Sequence, residues 1–223
     1  MRYTISGEIA QTAHLLLEQG ETFWASKGSL MAYSKGIEWR LRVPGGLGGA
    51  VQRSLSGEGV SLTYLETQEP GQEVFLAANA PGHITTWDLS QQGPVLTTRG
   101  AFLAAWGEHL DITVTIARRG GAALFGGAGL FLQRVSGQGT VLIHGSGDFS
   151  EHDLEEGQSL LVSTGNLAAF ADRVDYDIQG VGGCLKMLFG GEGVFLTRLS
   201  GPGRVLLQTL KRRAGNQASA AGG

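Results

Sequence analysis

A single cysteine, Cys184, is all that 223 residues carry. That scarcity excludes an internal disulfide framework and a cysteine-ligated zinc centre, and it fits a reducing compartment. Prolines number only five. No uncharged apolar run reaches the roughly 18 residues that cross a bilayer as a helix; the longest uncharged stretches, 157–171 among them, are interrupted by glycine and polar side chains. The opening MRYTISGEIAQ lacks the apolar core of a signal peptide, so the expected location is cytoplasmic.

Excess positive charge is missing too. Seventeen Lys and Arg stand against twenty Asp and Glu, a net charge of −3. Three of the basic residues, Lys211, Arg212 and Arg213, sit together in the acid-free tail KRRAGNQASAAGG, which leaves residues 1–210 at −6. An acidic body repels phosphate, and nucleic acid is not an expected partner. Residues 211–223 read as a flexible, solubilising basic tail.

The familiar chemical signatures fail in turn. Gly-X-Gly occurs at several positions, among them Gly46, Gly57, Gly127, Gly137, Gly145, Gly191 and Gly201, yet none of these has the further glycine of a dinucleotide fingerprint or opens a helix. There is no Gly-Lys-Ser/Thr and no Gly-X-Ser-X-Gly. His14, His83, His109, His144 and His152 are scattered, with no two placed one or two residues apart as ligands on one strand face would be. Cys184 lies among apolar residues in VGGCLKML, where a buried, inert thiol is the expectation. Trp24, Trp39, Trp87 and Trp106 read as core or interface residues. No catalytic, cofactor-binding or metal-ligating residue is assigned, and no cofactor is expected.

Glycine is abundant: 37 of 223 residues, against a usual level of about 7%. It punctuates short runs rich in β-branched and aromatic residues, the pattern of an all-β chain. Asp111–Ile116 alternates like a half-buried strand, and Ile9–Leu17, despite its triple leucine, also reads as a strand.

The glycines mark an internal repeat. GGLGGAVQRSLSGEGVSLTYL, GGAGLFLQRVSGQGTVLIHG and GGEGVFLTRLSGPGRVLLQTL share Ser-Gly-X-Gly at 56–59, 136–139 and 200–203. The strand after it aligns Leu62, Leu142 and Leu206. GETFWASKGSLMAY (20–33) lines up without gaps on GQSLLVSTGNLAAF (157–170), and GQEVFLAANAPGHITTW (71–87) follows with a longer turn. Each copy reads as two hairpins, one turning at Gly28, Gly82 or Gly165 and one at Ser-Gly-X-Gly, the last with the composition of a type II turn at Gly201-Pro202-Gly203. The expected units are 1–67, 68–147 and 148–210. Each is too small to bury both faces of its sheet, so the units must stack on one another or on another chain. Ring closure by a homo-oligomer removes the open sheet edges.

These residues resemble the altered-inheritance-of-mitochondria protein family in LEQGETFWASKGSLMAYS, GGLGGAVQRSLSGEG, APGHITTWDL, RGAFLAA and LFGGEGVFLTRLSGPGRVLLQTL, in that order along nearly the whole chain. The resemblance implies three fused β-sandwich modules, short double-stranded β-helices like those of the tryptophan RNA-binding attenuation protein, in pseudo-threefold arrangement and assembled as trimers. It carries no site residues. The function expected is that of a non-enzymatic scaffold or interaction protein forming a ring-like homotrimer. Its partner would be a protein or a membrane surface reached through the glycine-rich apolar blocks PGGLGGAV and GGAALFGGAGLFL. The alternative is a protein that binds a small molecule, metal or nucleic acid in clefts between modules.

Overall fold

The computed structural model describes residues 1–42, 62–117, 130–180 and 195–212. It is all-β, as the punctuated strand pattern predicts. The strands are β1 (Arg2–Ser6), β2 (Thr12–Leu17), β3 (Thr22–Ser26), β4 (Leu30–Tyr33), β5 (Ile37–Arg42), β6 (Leu62–Thr67), β7 (Gln72–Ala77), β8 (Gly82–Asp88), β9 (Val95–Thr98), β10 (Phe102–Ala117), β11 (Leu130–Ser146), β12 (Phe149–Leu154), β13 (Ser159–Ser163), β14 (Leu167–Ala171), β15 (Asp175–Gly180), β16 (Phe195–Ser200) and β17 (Gly203–Gln208). One helical turn, α1 (Leu89–Gln92), follows β8; Asp88 caps it by accepting from the Ser90 and Gln91 amides.

Alternation decides which side chains go inward. In β2, Ala13, Leu15 and Leu17 are buried while Thr12, His14 and Leu16 are only half-buried, the period of two that a strand imposes. In β10, Ile112 is buried between exposed Asp111 and Thr113.

Pairing is antiparallel throughout the named strands. β7 lies between β2 and β4, β17 between β12 and β14, and residues 140–146 of β11 between β8 and the early part of β10. β6 lies between β3 and β5, β16 between β13 and β15, and residues 130–135 of β11 between β9 and the late part of β10. A bulge recurs at Leu30/Ala32, Phe102/Ala104 and Leu167/Ala169. Two sheets are then stitched laterally, β10 to β3 and β14 to β9.

The glycine turns are not hairpins. β3 and β4, β7 and β8, β13 and β14, and β16 and β17 each lie in different sheets or on separate partners, so Gly28, Gly82, Gly165 and the 201–202 segment carry the chain from one layer to the next. A hairpin would set consecutive strands side by side; a layered fold needs consecutive strands to face each other across a core. The Gly201–Pro202 bond is cis, in a two-residue corner rather than a hairpin turn. Ser136–Gly139 is no turn at all: it bends the continuous β11 where its partner changes from β9 to β8. Opposite it, β10 bulges between Glu108 and Asp111, with His109 at φ 51°. A Cβ on Gly107 would overlap the Gln138 carbonyl and one on Gly139 the Trp106 carbonyl, so this bend requires both glycines.

Ser56–Gly59 and Cys184 lie outside the described residues, as do the glycine-rich stretches within 43–61, 118–129 and 181–194, which connect β5 to β6, β10 to β11 and β15 to β16. Leu62 does not share a position with Leu142 and Leu206. It belongs to the β3–β6–β5 group, and the strand that sits like 140–146 and 203–208 is β7. β7 pairs only with β2 and β4, so by pairing it goes with residues 12–67, not with the stretch after 68.

Two clusters form the core. One joins Leu15, Leu17, Val74 and Leu76 to Phe23, Leu65, Leu103 and Leu142. The larger gathers Trp87, Phe102, Val135, Val141, Phe170, Leu199 and Val205.

Candidate interaction surface

The fold leaves two strands differently placed from their counterparts. β14 has β17 on one side and β9 on the other, with Ala169 opposite Thr97 and Phe170 opposite Leu96. The early part of β10 has β11 on one side and β3 on the other, with Ala104 opposite Ala25 and Ala105 opposite Trp24. Residues 167–171 and 101–105 are all buried. Among the described residues β4 pairs with β7 alone and ends its sheet; Met31 is 59% exposed and Tyr33 45%. Beside it, the Trp39 indole Nε1 donates to the Tyr33 hydroxyl at 3.1 Å, and Trp39 and Leu41 are also half or more exposed. By register Trp39 corresponds to Ile112 and Tyr176, and Leu41 to Val114 and Ile178; Ile112 and Ile178 are buried and the other two half-buried.

β13 is the second such strand. Among the described residues it pairs with β16 alone, and Leu161 at its centre is 59% exposed, whereas every residue of β9 is buried. Unpaired amides and carbonyls beside exposed apolar side chains make a strand edge a template for another strand.

Among the described residues the titratable groups pair separately rather than converging on one cleft. His144 is buried, and its Nδ1 accepts from Arg212 Nη2 at 2.6 Å while its carbonyl accepts from the same nitrogen at 3.0 Å. Burial foremost, and then the Arg212 charge, push His144 down to about 4. Burial also lowers Arg212 to about 10. Arg212 is thus docked, not part of a flexible tail; its amide donates to the Gly165 carbonyl at 2.9 Å. Residues 213–223 lie outside the described residues.

The other histidines stand apart. His14 Nε2 is 3.3 Å from Glu73 Oε1, its ring stacked on Phe75 beside an open groove lined by Met1, Arg2, Tyr3, Thr4 and Leu16. His83 meets Asp148, His152 meets Ser150, and His109 sits at the β10 bulge. Among the described residues no three His, Cys, Asp or Glu side chains converge at metal-binding distance. Trp87 is fully buried with Arg204 over its ring at 5.3 Å; Trp24 packs edge-on to Tyr64.

Sequence reasoning expected open sheet edges without naming the strands that carry them, and it missed the His144–Arg212 contact. A signal for the strands existed: in the alignment of 20–33 with 157–170, Met31 and Tyr33 stand opposite Ala168 and Phe170. Arg212 offered none, because nothing local distinguishes a docked arginine from a solvated one.

Fold and surface together define an all-β, layered protein in which, among the described residues, β4 and β13 keep open edges beside exposed apolar side chains. The chain belongs to the mitochondrial biogenesis AIM24 family, whose pattern matches residues 3–210. It is 31% identical over 220 residues to an uncharacterised protein of Streptococcus pyogenes serotype M6, covering 94% of this chain and 86% of that one. Its fold matches the crystal structure of another Streptococcus pyogenes protein with a TM-score of 0.75 at 27% identity, over 94% of both chains. Among the described residues no helix is long and apolar enough to cross a membrane.

Proposed function

We propose that this protein is a non-enzymatic scaffold built from three copies of one two-sheet module, and that it assembles head to tail into a ring-like homotrimer by pairing β4 of one chain with β13 of the next. Within the chain, each module's inner edge joins the module before it, β10 to β3 and β14 to β9. Among the described residues β4 of the first module and β13 of the third have no such neighbour. The carrying observation is that, among the described residues, β4 and β13 each have one partner, whereas β14, the early part of β10, β3 and β9, which occupy the same places, each have two. β5, β15 and the late part of β10 are edges in every module and need no second chain.

The register of the junction follows from the two internal ones. Ala169 opposite Thr97 and Phe170 opposite Leu96 translate, through the gap-free alignment, to Ala32 opposite Val162 and Tyr33 opposite Leu161. That pairing joins two side chains exposed in the single chain and covers Met31 and Trp39. The family resemblance supplies the number three, which closes the ring and leaves no such edge.

Light scattering coupled to gel filtration tests the reading: three times the chain mass is expected, and a monomeric mass at tens of micromolar overturns it. Tyr33→Cys with Leu161→Cys, on a Cys184→Ser background, is expected to yield disulfide-linked dimers and trimers under oxidation.

A further inference from the structure

The modules also touch through their first residues. Ala10 and Gly82 form an isolated parallel bridge, and so do Gly82 and Gly147. At the first contact the Gly82 amide donates to the Ile9 carbonyl (2.7 Å) and the Gln11 amide to the Gly82 carbonyl (3.0 Å). At the second the Gly147 amide donates to the Pro81 carbonyl (3.1 Å) and the His83 amide to the Gly147 carbonyl (3.2 Å). Each module start therefore offers the next one a carbonyl before it and an amide after it.

On the third module those two groups are the Ser146 carbonyl and the Asp148 amide, and both are taken by the chain's own C-terminal segment. The Leu210 amide donates to the Ser146 carbonyl at 3.0 Å, where a following module's first residue would donate. The Asp148 amide donates to Thr209 Oγ1 at 2.9 Å, and the Thr209 amide to the Asp148 carbonyl at 3.0 Å. Arg212 then pins the segment through the Gly165 carbonyl and His144. At the other end of the chain, Ile9 is 78% exposed and precedes the unmatched Ala10.

We infer that the Gly147 edge is the docking site for residues 9–11 of a second copy of this chain, and that the strap 209–212 occupies it as a competing stand-in until assembly displaces it. The inference rests on the head-to-tail reading and adds a control to it. A fourth module start would lie where Leu210 lies, so strap and incoming Ala10 exclude each other. The strap is held by a few hydrogen bonds and one buried guanidinium, whereas the incoming chain brings a whole strand edge besides.

The test compares the full chain with Leu210→Pro/Arg212→Ala, which removes the amide donor and the pin. Circular dichroism first establishes that the variant is folded, and sedimentation then gives the concentration dependence of assembly. The variant is expected to assemble at least tenfold more tightly. A measurement on the unaltered chain serves if the variant does not fold: amide exchange at Leu210 should be slow in dilute, dissociated protein and fast in the oligomer. Assembly that is unchanged or weaker in the variant, or a Leu210 amide that stays protected in the oligomer, overturns the strap and leaves the head-to-tail reading intact. If neither chain assembles at any concentration, both fall.

Discussion

β14 and β4 make the instructive comparison. Both follow a glycine corner, carry a bulge at their second residue and pair on one side with the strand that closes their module. β14 is buried throughout because β9 covers its other edge; among the described residues no strand covers that of β4, which is exposed. Burial here follows from what lies beside a strand rather than from strand composition. In the proposed modular reading, β4 and β13 display the surface that β14 and β9 bury against each other.

The largest effect expected separates these strands directly. Ala169→Glu places an unpaired carboxylate in a fully buried junction and should cost about 3–5 kcal/mol, lowering Tm by roughly 10 °C for a chain of this size. Ala32→Glu, at the same position of the open strand, should leave the Tm of dilute, dissociated protein within about 2 °C and abolish the trimer mass. Thermal melts and light scattering check the pair; equal loss of stability from both would erase the contrast.

His144 sharpens the comparison from the interior side. Its folded value, about 4, lies below the ordinary 6.5, so the unfolded chain binds the proton more readily. The stabilisation from keeping this imidazole neutral is complete above pH 6.5 and is lost as pH falls toward 4, to the extent of about 2–4 kcal/mol. Urea denaturation across that window should show the decline, and His144→Gln should flatten it.

Smaller effects follow at the β9–β14 junction and on the surface. Thr98 Oγ1 donates to the Leu167 carbonyl at 2.8 Å inside the core; Thr98→Val should cost about 1–2 kcal/mol in chemical denaturation. The Arg134 pair with Asp172, at 2.9 and 3.0 Å, is partly exposed, and Arg134→Gln should cost no more than about 1 kcal/mol.

Much of the local structure was legible beforehand. Alternation announced Asp111–Ile116, the triple leucine resolved as a strand with Leu15 and Leu17 inward, and the 20–33 and 157–170 segments carry strands that start in step, β3 with β13 and β4 with β14. The misreadings share a cause. Gly28, Gly82, Gly165 and the 201–202 segment do lie at breaks between strands, but a break says nothing about whether the chain turns back beside itself or crosses to another layer, and Ser136–Gly139 only bends a continuous strand. The Leu62 alignment failed for the same reason. Similar local composition surrounds Ser56–Gly59, while the partner that identifies a strand's place, β2 and β4 for β7, lies far along the chain.

By itself, then, the amino-acid order determined strand character, the inward and outward faces and the spacing of the breaks, because each depends on backbone sterics and the polarity of near neighbours. Only tertiary structure decided which edges are sealed, which are open and that Arg212 folds back onto His144. Hydrogen-bond partners and desolvation arise between segments distant in sequence, and the same strand is interior or edge according to what lies beside it.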